Sequence, residues 1–175
     1  MPANDAALRS EVLAAAVLRG HFVLRSGRTS TYYVDKYRFQ VRPELLRRVA
    51  ARLAGLVPPE TQRLAGVELG AVPLVTAVAL HSGIPFVIVR KGAKEHGTAN
   101  LIEGEPLDGA AVTIVEDILT TGGAALESAA KVHDAGGRVV RIVVALDRGE
   151  GGAERVREAG YDLRALFTLA PGELG

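Results

Sequence analysis

The feature that most constrains the fold is an alternation that begins near residue 63. Short apolar runs at 64–69, 84–90, 111–116, 139–146 and 163–168 are separated by stretches with helical spacing and by Gly or Pro turns. Runs so rich in Val, Leu and Ile, with little polar alternation, read as strands buried on both faces, which calls for a parallel sheet covered by helices. The helices fall between them: one begins near Pro73, one runs from about Gly123 to Gly136-Gly137, and a short one covers 153–159. The expected fold is therefore α/β, a parallel sheet flanked by helices. In such a sheet ligands lie at the carboxyl ends of the strands, so the residues just after Leu69, Arg90, Glu116 and Leu146 are the first candidates for a site.

The amino-terminal part follows another rhythm. Leu8, Val12 and Ala16 recur every four residues, as do Leu45, Val49 and Leu53, which predicts two amphipathic helices. Between them, residues 21–40 mix β-branched and aromatic side chains with Gly27 at a turn, the pattern of a hairpin or irregular strand pair set apart as a small cap. At 175 residues, with no repeat or linker, the chain reads as one domain over 1–175, its cap formed mainly by about 1–40. Twenty-one basic and 20 acidic residues nearly cancel, so nucleic acid is not an expected partner and an anion must be bound locally. There is no cysteine, no basic start followed by an apolar stretch, and the longest near-apolar run, 71–80, is too short for a membrane helix and holds Pro73 and Thr76. A cytoplasmic protein that does not enter membranes is the expectation.

The densest chemical signal lies in residues 112–132. A strand delivers two acids, Glu116 and Asp117, followed by Ile118, Leu119 and the turn Thr120-Thr121-Gly122-Gly123, and then a helix. Such a turn gathers several backbone N–H groups and two hydroxyls at a helix N-terminus, which suits a phosphate monoester. The acids repel that phosphate unless they face an uncharged part of the same ligand, and the hydroxyls of a sugar phosphate are such a part. A Thr-capped helix preceded by two solvated acids is the bland alternative. The string VEDILTTGG resembles the motif with which the type I phosphoribosyltransferases bind phosphoribosyl pyrophosphate (PRPP). The resemblance implies that family's fold, a parallel sheet with an amino-terminal hood, and a site in which residues 116–123 hold the ribose and its 5′-phosphate.

Further segments narrow the choice. Residues 90–104 carry Arg90, Lys91, Lys94 and His96 among Gly92, Gly97 and Gly104. By themselves they form either a solvated surface loop or a flap that closes over a diphosphate and excludes water. The pattern Arg-Lys-x-x-Lys-x-His-Gly is similar to the mobile catalytic loop of the orotate phosphoribosyltransferases. That likeness implies a homodimer whose loop 90–104 enters the neighbouring subunit's site, with Lys91 serving the diphosphate of its own subunit. Arg90, Lys94 and His96 would act across the interface and, with Asp117, make up the catalytic set.

Residues 26–35, SGRTSTYYVD, resemble the same family's hood segment, which implies orotate contacts from Arg25, Tyr33 and Thr120. Arg25 stands where many members have Lys, exchanging a point charge for a planar fork, and Thr31 stands where many have Pro. Arg148 follows the strand at 139–146. On the bare sequence it is an ordinary surface arginine; by resemblance it pairs with the carboxylate of orotate, which a guanidinium can clamp with two parallel hydrogen bonds. Residues 68–74, ELGAVPL, are either a structural turn or a loop in which Gly70 and Ala71 bring main-chain N–H groups to the diphosphate; the lysine that many relatives have there is missing.

The resemblance implies transfer of the phosphoribosyl group of PRPP to orotate, giving orotidine 5′-monophosphate and pyrophosphate in pyrimidine (UMP) biosynthesis. Mg2+ is the implied cofactor, held mainly by PRPP oxygens and water with no direct protein ligand. A purine phosphoribosyltransferase and a PRPP-sensing regulator without catalysis are the alternatives. No G-x-G-x-x-G follows the first strand, and neither a phosphate-loop lysine motif nor a His-Glu-x-x-His helix is present. His21, His81 and His133 lack metal-ligand spacing.

Overall fold

A computed structural model describes residues 3–23, 27, 29–92, 101–170 and 173–174. Helix α1 (Ala3–Ala16) leads into an antiparallel hairpin of β1 (Val17–Val23) and β2 (Thr29–Val34), then the single turn α2 (Tyr37–Gln40) and helix α3 (Pro43–Ala54). The alternating part follows as β3 (Arg63–Val67), α4 (Val72–Ser82), β4 (Phe86–Val89), β5 (Ile102–Glu103), β6 (Ala111–Leu119), α5 (Gly123–Asp134), β7 (Arg138–Asp147), α6 (Gly152–Glu158) and β8 (Leu163–Thr168). The local reasons are visible in α3. Pro43 pre-sets its first turn, Glu44 complements the positive helix end, and Leu45, Val49 and Leu53 form the buried stripe.

The hairpin forms its own two-stranded sheet, and the main sheet has the order β5-β4-β3-β6-β7-β8. The pairs β4–β3, β3–β6, β6–β7 and β7–β8 are parallel, as expected. Three details differ from the sequence reading. The edge strand β5 runs antiparallel to β4 and, at two residues, is too short to leave a periodic signal. Strand β6 continues past the expected end at Glu116 to Leu119 because its ladder with β7 persists to the pair Leu119 and Asp147, so Asp117 too lies inside the strand and not after it. The cap hairpin starts at Val17, directly on the end of α1, and the segment expected to finish it as strand closes instead in α2.

The sheet separates two apolar layers. Val12, Phe39, Leu53, Leu74 and Phe167 pack on the face covered by α1, α3 and α4, while Val112, Ile114, Val132, Ile142 and Val156 pack on the face covered by α5 and α6. Leu53, Leu74 and Ile114 are fully buried, each worth roughly 1.5–3 kcal/mol relative to exposure. A buried polar contact between Thr61, just before β3, and Thr113 of β6 is satisfied hydroxyl to hydroxyl at 2.7 Å. After β8 the chain returns to the amino-terminal elements: Arg9 donates to both carboxylate oxygens of Glu173 at 2.6 and 2.8 Å, Arg19 donates to the Leu174 carbonyl at 2.6 Å, and Leu169 and Leu174 are buried in the first layer. No helix among the described residues is long and apolar enough to cross a membrane.

The topology locates the site. From β3 the chain moves outward through α4 to β4, and from β6 it moves the other way through α5 to β7, so the strand order reverses between β3 and β6. At that point the loops after the two strands part, leaving a crevice at their carboxyl ends.

Candidate active site

One wall of the crevice is the loop 68–71 after β3, and the other is the end of β6. They meet so closely at Gly70 that a Cβ there would strike both Asp117 Oδ2 and Lys36 Nζ. A side chain at 70 is therefore excluded, and the loop's main chain lies directly against the Asp117 carboxylate. The Glu68–Leu69 peptide in this loop is cis. Lys36 comes from the turn between β2 and α2, and its ammonium stands 2.9 Å from Asp117 Oδ2. Asp117 is almost wholly buried, whereas a third of the Lys36 side chain remains accessible to solvent.

Glu116 is buried beside Asp117. Its Oε1 accepts the Asp117 N–H at 3.3 Å, and its Oε2 has no hydrogen-bond partner among the described residues. Burial first, and the neighbouring Asp117 charge second, push its pKa from an ordinary 4.5 up to about 8. At neutral pH this carboxyl is mostly protonated, which spares the crevice a second buried anion. For Lys36, burial opposes the charged form, but the contact with Asp117 and the nearby Glu116 outweigh it and raise its pKa.

The turn Thr120-Thr121-Gly122-Gly123 joins β6 to α5. Gly122 has φ 79° and occupies the N-cap position with no side chain bonded over the helix end, so the first N–H groups of α5 are left for a ligand. The turn is pressed from behind by the start of α6. A Cβ on Gly152 would collide with the Thr120 carbonyl and approach the Gly122 nitrogen to 2.8 Å. Arg155 donates to the Thr121 carbonyl at 3.3 Å, placing a cation at the turn's outer edge.

Arg148 leaves β7 immediately beside this turn, its N–H donating to the Leu119 carbonyl at 3.0 Å. Its guanidinium lies 5.8 Å from the Tyr32 ring centre, donates to the Tyr32 hydroxyl at 3.4 Å, and pairs with Glu150 at 2.8 Å. Tyr33, the aromatic expected to contact the base, lies next to Tyr32 in β2; it packs against Phe22 at 5.7 Å between ring centres and is 47% exposed. Tyr32 is thus the residue that meets Arg148.

The root of loop 90–104 is anchored to its own chain. Arg90 pairs with Glu68 at 3.5 Å and Glu103 at 3.4 Å, and the Lys91 N–H donates to Glu68 Oε1 at 2.7 Å. Lys131 of α5 donates to the carbonyls of Arg90 and Lys91 at 2.9 and 3.0 Å. Lys94, His96 and Arg25, all expected at the site, lie outside the described residues.

The fold thus brings Gly70, Ala71, Glu116 to Gly123 and Arg148 around one crevice, with Arg90 and Lys91 at the loop root behind it. Lys36, Tyr32, Glu68, Lys131, Gly152 and Arg155 were not anticipated. Among these, only Tyr32 and Gly152 had a signal available: strand alternation sends Tyr32 and Tyr33 to opposite faces, and the Gly151-Gly152 pair marks a turn.

Residues 44–160 match the model of the phosphoribosyl transferase domain family. The chain is 48% identical over 170 residues to the orotate phosphoribosyltransferase of Halobacterium salinarum, covering 97% of each. Among solved structures it is similar to the orotate phosphoribosyltransferase of Mycobacterium tuberculosis H37Rv in complex with Fe(III) dicitrate, with a TM-score of 0.85, 35% identity and coverage of 98% of this chain and 99% of that one. The same enzyme in complex with PRPP matches with a TM-score of 0.82 at 32% identity, again over 98% and 99% of the two chains.

Proposed function

This chain belongs to the orotate phosphoribosyltransferase family, and from that premise we propose how its crevice carries out the transfer of a phosphoribosyl group from PRPP to orotate. The products are orotidine 5′-monophosphate and pyrophosphate, a step of pyrimidine biosynthesis. The observation that carries the reading is the pairing of an uncapped helix turn at 120–123 with two buried acids directly before it. In this reading Thr120 to Gly123 receive the 5′-phosphate through main-chain N–H groups and hydroxyls. Glu116 and Asp117 take the ribose hydroxyls, and the open Glu116 Oε2 is the acceptor or donor left for one of them.

The diphosphate then points along loop 68–71, whose Gly70 and Ala71 offer main chain, and toward Lys91. Orotate lies between the hood and Arg148, whose guanidinium faces the base's carboxylate, with Thr120 and Arg25 contributing from the turn and the hood and Tyr32, the tyrosine that meets Arg148, in place of the expected Tyr33. In the reaction the C1–oxygen bond breaks with its electron pair leaving on pyrophosphate, while orotate N1 releases its proton to water and forms the bond to C1. Positive charge develops on the ribose and negative charge on the leaving group. Lys94, His96 and Arg90, supplied by loop 90–104 of the second subunit of a homodimer, stabilise that negative charge, each preorganised donor contributing on the order of 3 kcal/mol.

The donor set also fits magnesium held by the substrate. Among the described residues no three carboxylates or imidazoles converge to enclose a cation, and of the two acids in the crevice one is paired with Lys36 while the other keeps a single open oxygen. Glu116 and Asp117 would therefore hold the ion through ribose oxygens and water. When bound, magnesium supplies neutralisation of the diphosphate. Incubating the protein with PRPP, Mg2+ and orotate should bleach the orotate ultraviolet band; turnover of a purine base in place of orotate, or PRPP binding without turnover, would overturn the assignment.

A further inference from the structure

The diphosphate of PRPP is the most highly charged part of the ligand, yet the crevice wall it meets brings the charged Glu68 and Asp117 beside the protonated Glu116, and no cation of its own in 68–71. Arg90, at the root of the adjoining loop, is already held between Glu68 and Glu103. Lys36 answers this imbalance. It reaches in from the hood, its ammonium touches the space above Gly70, and a third of its side chain is accessible to solvent. Its main chain is fixed, because the Lys36 carbonyl accepts from Gln40 Nε2 at 3.1 Å and the preceding Asp35 N–H donates to Ala16 at 2.8 Å. The flexible stem is therefore what can move.

We propose that Lys36 is a PRPP-binding and positioning residue that changes partners: it neutralises Asp117 in the free protein and turns to the diphosphate when the ribose hydroxyls take over Asp117. The exchange keeps Asp117 compensated at every stage, so a buried carboxylate is never left alone. It also ties the hood to the arrival of PRPP, because the lysine that moves stands two residues from the end of β2. The inference rests on the phosphoribosyl-transfer reading above.

The test separates the two halves of the ligand, using inorganic pyrophosphate for one and ribose 5-phosphate for the other, with binding followed by calorimetry. Lys36→Met should weaken pyrophosphate and raise KM for PRPP by about tenfold or more, leave ribose 5-phosphate and the KM for orotate within about twofold, and be rescued in large part by Lys36→Arg. Equal weakening of both probes would make Lys36 a mere strap between hood and sheet, and would overturn the proposal. Should Lys36→Met fail to fold, Asp117→Asn asks the same question from the other side. Ribose 5-phosphate should then weaken while pyrophosphate holds or tightens, and loss of pyrophosphate binding would refute the exchange. A wild-type protein that does not consume PRPP with orotate would remove the functional reading itself; an active wild type with Lys36→Met unchanged would remove only this inference.

Discussion

Glu116→Gln should make the ligand-free protein more stable, and by an amount that depends on pH. In the folded chain the carboxyl titrates at about 8 against an ordinary 4.5, so between those values the folded state keeps a proton that the unfolded chain has released. Wild-type stability therefore falls as pH rises from about 4.5 to about 8, and the penalty is complete above that. That gap corresponds to roughly 5 kcal/mol as a ceiling, lowered by relaxation and water entry. A glutamine has the shape of the protonated side chain and presents an N–H toward Asp117 without a charge to desolvate. Urea unfolding of both proteins at pH 5 and pH 8.5 is the measurement. The variant should match the wild type within about 1 kcal/mol at pH 5 and exceed it by about 2 kcal/mol or more at pH 8.5. A difference that does not change with pH, or a variant less stable at pH 8.5, would refute the account of a buried carboxyl kept protonated beside Asp117.

Gly152→Ala, whose added methyl meets the Thr120 carbonyl, should displace the phosphate turn and raise KM for PRPP by about tenfold or more, with the orotate KM changed far less; steady-state kinetics with each substrate varied will show it. Arg148→Ala should do the reverse, raising the orotate KM by about tenfold or more and leaving PRPP binding by calorimetry within about twofold. Lys94→Ala should lower kcat by about a hundredfold while orotate affinity is kept, and an unchanged kcat would count against the loop. If that loop serves the partner's site, mixing inactive Lys94→Ala and Asp117→Ala proteins should restore part of the activity after subunit exchange.

What the sequence made legible is what rests on local pattern. The apolar runs at 64–69 and 163–168 correspond to β3 and β8, and Glu116 to Gly123 could be read as strand, acids and turn because those residues are contiguous and each has a local geometric task. What stayed hidden depends on pairs distant in the chain. Nothing near Lys36 announces Asp117, and nothing near Gly152 announces Thr120; both contacts exist only because β2 folds over the sheet and α6 returns behind the turn. The extent of β6 was likewise fixed by its neighbour β7 and not by its own composition. Arg90 illustrates a different limit: its charge was plain, but its engagement with Glu103 follows from the register of β4 with β5, and that with Glu68 from the pairing of β3 with β4.

Because among the described residues the hairpin of β1 and β2 shares no ladder with the six-stranded sheet, backbone pairing does not couple the hood, which would recognise the base, to the sheet, which would hold the sugar. Evolution can rewrite one sheet's side chains while the other's hydrogen-bond register stays as it is. The physical links between them are a handful of side chains such as Tyr32 with Arg148 and Lys36 with Asp117. A graft of a foreign hairpin onto this scaffold would need to preserve those joints before anything else.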